Sequence, residues 1–137
     1  MVLNWKAVIL GAIVDFVGSY FVTYMLALLW ASALRSHGIA DDQAWELAVR
    51  HPLFLAISAT IGWYFDYLAG RIAASFTAGN GPLHGVAAAT PGVVLALIEL
   101  FHADPAPIPV WFVFVSCGVS IGCAYYGGGK ASRINKS

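Results

Sequence analysis

Apolar positions run along this chain in four long blocks, 7–34, 52–78, 83–103 and 106–127, separated by short polar or Pro/Gly-containing breaks. A helix needs about 20 mostly apolar residues to cross a hydrocarbon core roughly 30 Å thick, and every block reaches that length. The pattern predicts an all-α polytopic membrane protein, a four-helix transmembrane bundle forming one unit over residues 1–137. The first block is far longer than the roughly 7–15 apolar residues of a signal segment and contains Asp15. It therefore reads as span 1 despite the small-x-small run Ala31-Ser32-Ala33.

The breaks carry their own signals. In SHGIADDQAWELAVRHP, Gly38 ends the first helix and Asp41 is expected to cap a short second one. Glu46 and Arg50 form an i,i+4 pair, and Trp45, Leu47, Ala48 and Val49 give a weak apolar face. The expectation is a short outer-surface helix between spans 1 and 2, with Pro52 opening span 2. TAGNGP joins spans 2 and 3 as a tight hairpin, with Asn80 as a cap and Pro82 in the first turn. Thr90-Pro91-Gly92 predicts a kink in span 3, and DPAPIP at 104–109 a stiff loop before span 4. After Gly127-Gly128-Gly129 a short, basic, mobile tail is expected.

Composition sharpens the class. Apolar residues make up 60% and charged residues 10%, against about 45–50% and 25% in soluble domains. Zero net charge and the lack of a basic patch exclude a nucleic-acid partner, and two cysteines exclude a disulfide scaffold. Cys117 and Cys123 lie about 9 Å apart along one helix, too far to bridge each other. Lys6, Arg71, Lys130, Arg133 and Lys136 flank the spans on the side of the termini, and Arg35 and Arg50 on the other. By the positive-inside rule both termini are cytoplasmic, in what the sequence suggests is a bacterial inner membrane.

Small residues recur at i,i+4 spacing in every span, which is how helices approach closely where lipid supplies no hydrophobic drive. The helix-packing candidates are Gly11 and Gly18 in span 1, Gly62 and Gly70 in span 2, Gly92 in span 3, and Gly118 and Gly122 in span 4. Gly85 extends the span 3 stripe. GAIVDFVGS at 11–19 also echoes GWYFDYLAG at 62–70, on spans that run in opposite directions.

Of seven basic and seven acidic side chains, only Asp15, Asp66, Arg71 and Glu99 fall inside the blocks. A charge at mid-membrane costs at least about 2.5–3.5 kcal/mol, so each requires a partner, water or a proton. Asp15 and Arg71 share a depth from the terminal side. One expectation is an Asp15–Arg71 ion pair with Asp66 close enough to share the guanidinium, and Tyr67 within the same polar network. The alternative is an Arg71 that snorkels to headgroups while the acids hydrogen-bond to Tyr64, Tyr67 or Ser19. Glu99 and His102 lie near the outer surface, and His84 is expected near Arg71 or headgroups. His37, His51 and His102, with Asp41, Asp42 and Asp104, have no metal-ligand spacing. No nucleophile elbow, Walker loop or HExxH appears, so no catalytic residue, metal or cofactor is expected.

The run DYLAGRIAASFTAGNGPLHG at 66–85 resembles uncharacterised four-span bacterial integral membrane proteins. Their span 2 ends in Gly-Gly-Tyr-x-Ala-x-Arg-x-Ala before a short turn and Leu-His-Gly. Tyr67, Ala69, Arg71, Ala73, Leu83, His84 and Gly85 match that pattern, and Phe65 and Asp66 replace the two glycines. The resemblance implies four-span architecture and transfers no activity. The expected function is a non-enzymatic structural or accessory subunit, partnered by the bilayer and other membrane helices. The alternative is a small oligomeric transporter or channel using Asp15 and Asp66.

Overall fold

A computed structural model describes residues 3–77, 79–102 and 108–134, with side chains through Ala131. Five helices and no strand occur among them: α1 (Trp5–Ser36), α2 (Asp41–Arg50), α3 (Pro52–Ser75), α4 (Gly81–His102) and α5 (Val110–Ile134). All but α2 are long and apolar enough to span a membrane. The chain is a four-helix transmembrane bundle with a short helix at the end opposite the termini.

Each helix starts and stops for a local reason. Asn4 caps α1 by accepting from the Ala7 N–H at 3.4 Å. Gly38 takes φ +86 after α1, and its N–H returns to the Arg35 carbonyl at 2.9 Å, a left-handed stop that suits glycine. Asp41 is the first residue of α2, not its cap. The cap position is Ala40, and the Asp41 carboxylate instead pairs with the Arg35 guanidinium at 2.9 Å across the corner. The Glu46–Arg50 pair forms at 3.1 Å. His51 caps α3 through Nδ1, which accepts from Leu53 N–H at 3.2 Å, and Pro52 opens the helix.

Two expectations change, one at the end of span 4 and one on the short helix. The helix of α5 runs through Gly127-Gly128-Gly129 to Ile134, where a mobile tail was predicted. With no water competing for the backbone, a glycine run keeps its helical bonds and lets another helix approach. α4 holds Pro91 inside one helix, Gly81–His102, as a single span requires. On α2, Ala44 and Ala48 are the buried pair, whereas Leu47 is exposed. Ala78, Asp104 with the rest of 103–107, the Arg133 side chain and Lys136 lie outside the described residues.

The bundle is inverted relative to a soluble protein. Among the described residues every buried hydrophobic side chain is alanine except Val8 and Phe54, while most of the large side chains point outward where lipid surrounds them. α3 and α4 form the central pair, α1 and α5 both pack on it, and among the described residues no α-carbons of α1 and α5 come within 8 Å of each other.

At the terminal end the packing is backbone-close. Ideal Cβ atoms at Gly70 and at Gly85 would both strike the Ala124 carbonyl, one at Gly127 the Tyr67 carbonyl, and one at Gly128 the Gly81 carbonyl. A Cβ on Gly11 would lie 2.8 Å from the Ala69 carbonyl oxygen. Here His84, 4% exposed, ties three segments together. Its Nε2 accepts from Asn4 N–H at 3.0 Å, which leaves Nδ1 as the donor to the Asn80 carbonyl at 3.1 Å. Asn4 Nδ2 also donates to the Phe76 carbonyl at 3.3 Å. His84 therefore contacts neither Arg71 nor headgroups through its ring nitrogens. His84→Ala would remove the partner of the Asn4 N–H, while the Asn80 carbonyl keeps the Leu83 and residue 84 backbone N–H groups, and is expected to lower stability by about 0.5–1.5 kcal/mol in a detergent thermal melt.

Candidate functional site

Four spans each bring one small or polar residue to the middle of the bundle. Asp15 lies about 15 Å along α1 from Trp5, and Asp66 about 14 Å back from the end of α3, so antiparallel packing puts them at one depth. They are 7% and 5% exposed, the two buried carboxyls among the described residues. The two carboxyl groups lie close enough to interact, and Ser120 of α5 stands beside Asp66 in the same cavity wall. Gly92 of α4 closes the ring: a Cβ there would sit 3.6 Å from Asp15 Oδ2, so glycine leaves ordinary contact space beside the acid. Two buried carboxyls this close relieve their mutual repulsion by taking a proton on one of them, so the pair is a place to hold one.

The expected Asp15–Arg71 ion pair is not formed. Among the described residues the ion pairs are Arg35–Asp41 and Arg50–Glu46, and Arg71 is exposed. Depth matches but direction does not. Five residues beyond Asp66 is about 140° around the helix, off the face that carries Asp66, Ala69, Gly70 and Ala73 inward. Tyr67 is likewise outside the acid pair and lies against the Tyr126 ring of α5 at 6.2 Å. Tyr64 is exposed, and the Ser19 hydroxyl donates to the Asp15 backbone carbonyl rather than to a carboxyl.

The glycines divide in the same way. Gly11 and Gly70 are packing contacts, Gly18 accepts the Phe65 ring, and Gly92 sits beside Asp15. Gly62, Gly118 and Gly122 have nothing within 4 Å of an added Cβ. Gly62 faces a cavity, and Gly118 and Gly122 face outward.

On the α2 side of the acid pair the helices separate. A cavity of about 260 Å³ holds Asp15 and Asp66 in its wall and extends along α5 to Ile108. A second, of about 610 Å³, runs from Ser19 and Ser120 past Thr23 and Trp63 to Trp45 of α2 and Glu99 of α4. They share Ser19, Gly62, Gly92, Ser116 and Ser120, so together they lead from the α2 end to the carboxyls. From Asp15 to Ala27 this is about 18 Å along α1. The walls carry Asp15, Asp66 and Glu99, and no Lys, Arg or His among the described residues. Trp63 Nε1–H donates to Ser116 Oγ at 3.2 Å, while the Ser58 hydroxyl on the same wall is shut from solvent without a partner.

Sequence reasoning pointed to both acids, and to Ser120 as a small packing residue of span 4, but not to this vestibule or to Ser120 as a neighbour of Asp66. No group of three or more metal-ligating side chains comes together among the described residues. Compared with family models, curated proteins and solved structures, the chain matches none.

Proposed function

We propose that the protein is a small cation transporter of the membrane that exchanges a proton and a cation at the Asp15–Asp66 pair. The observation that carries this reading is the pair's position. It stands in the wall of an acidic vestibule that carries no Lys, Arg or His among the described residues, and a separate, apolar cavity between α1 and α4 reaches Asp15 from the terminal side. A charge in the middle of a bilayer is costly, so exchanging one proton for one monovalent cation at a single site keeps the local charge constant. The terminal end, with Lys6 and Lys130, is the cytoplasmic side of this reading, and the vestibule opens to the opposite compartment.

The test uses purified protein in vesicles with an inside-acid gradient and an internal pH dye. Adding external cations, inorganic and organic in turn, is expected to collapse the gradient faster than in protein-free vesicles for at least one of them. Rates equal to protein-free vesicles for every cation would overturn the reading.

A second reading, a subunit of a larger membrane assembly, is supported by the outward Gly118–Gly122 face of α5. Native mass spectrometry from the source membrane distinguishes them: unrelated subunits at fixed stoichiometry favour the assembly.

A further inference from the structure

One wall of the vestibule is a ladder of rings. Phe16 and Tyr20 stack at 6.2 Å with planes 11° apart, Tyr20 and Tyr24 at 6.2 Å and 4°, and Tyr24 meets Trp45 of α2 at 5.9 Å. The i,i+4 spacing places three of these rings in one line along α1, starting one residue beyond Asp15. All four line the larger cavity. Tyr20 is 66% exposed, so the vestibule is open along this flank, on the side that faces lipid in a bilayer.

Aromatic faces attract cations through their quadrupole and repel anions, and they offer flat apolar area to whatever carries the charge. Small inorganic cations are held by shells of about six oxygens, and the approach here is lined by rings. The cavity volume falls within the roughly 300–1,000 Å³ of organic-ligand sites. We infer that the vestibule takes a hydrophobic organic cation, such as a quaternary ammonium, with its charge toward the Asp15–Asp66 floor and its apolar groups on the Phe16–Tyr20–Tyr24–Trp45 ladder. This deepens the transport reading and rests on it for the use to which binding is put.

The probe is benzyltrimethylammonium, titrated into the full-length protein in detergent and followed by tryptophan fluorescence, since Trp45 and Trp63 line the cavity. Saturable binding is expected, with no competition from neopentylbenzene, its uncharged analogue. Asp66→Asn should weaken binding at least about tenfold. Tyr20→Leu, at a position too exposed to unfold the bundle, should weaken it about 3- to 30-fold. Size-exclusion elution checks that each variant is folded. Equal competition by the neutral analogue, or unchanged binding in the folded variants, overturns the inference. The two readings fail separately. If sodium or potassium collapses the pH gradient but benzyltrimethylammonium neither binds nor does so, the organic-cation inference falls and the transport reading stands. If it binds in an aspartate-dependent way while no cation collapses the gradient, the transport reading falls and the site remains.

Discussion

Gly70→Ala is expected to destabilise the bundle by about 1–3 kcal/mol, and a leucine there to prevent α5 from docking. The reason is the kind of atom the new methyl meets. At Gly70 it is the Ala124 carbonyl, with the Ala124 Cα close behind, and Gly85 of α4 is set against the same carbonyl. Backbone cannot rotate aside as a side chain does, so α3 and α5 must part, and the α4 contact opens with them. Thermal unfolding in a mild detergent, read by loss of the monodisperse peak, measures the effect. Gly118→Ala and Gly122→Ala are the matched controls on α5, with open space where the methyl would go, and should stay within about 0.5 kcal/mol of the parent. Comparable losses at all three positions would mean that α5 presents the other face to the bundle.

That contrast also shows where sequence stops being informative. The four spans, α2 and the α3–α4 hairpin were legible because length, apolarity, Gly38, Pro52 and Pro82 act locally. The i,i+4 glycine pattern was legible as well, but span 4 carries small residues on two faces. Ser116, Ser120 and Ala124 face the bundle or its cavity, while Gly118 and Gly122 face away. Spacing alone does not say which face is inside, because lipid and helix interior are equally apolar.

Asp15 and Arg71 erred in a related way: a depth along the axis was matched without the angle around it. The signal that pointed correctly was the echo between residues 11–19 and 62–70. It places Asp15 and Asp66 at equivalent positions of antiparallel helices, and the structure brings those two carboxyls together. The vestibule was not legible, since it depends on how far α3 and α4 diverge beyond Gly62 and Gly92. That divergence is set by packing among all the helices.

Asp15→Asn and Asp66→Asn should each reduce cation-driven proton release to the leak of protein-free vesicles, while leaving the fold as stable as before or more so by about 1 kcal/mol. An asparagine amide has the shape of the carboxyl and can offer a hydrogen bond to the remaining acid or, at position 66, to Ser120. What it lacks is a proton to give up and a charge to offer in return. If the two acids work as one exchange site, the double variant will be no worse than either single one, because the first substitution already removes the function of the unit. A purely structural pair predicts the opposite pattern, a loss of stability with flux per folded molecule unchanged. Stability and flux measured on the same preparations separate these outcomes. Full flux in both folded single variants would rule out the pair as the exchange site.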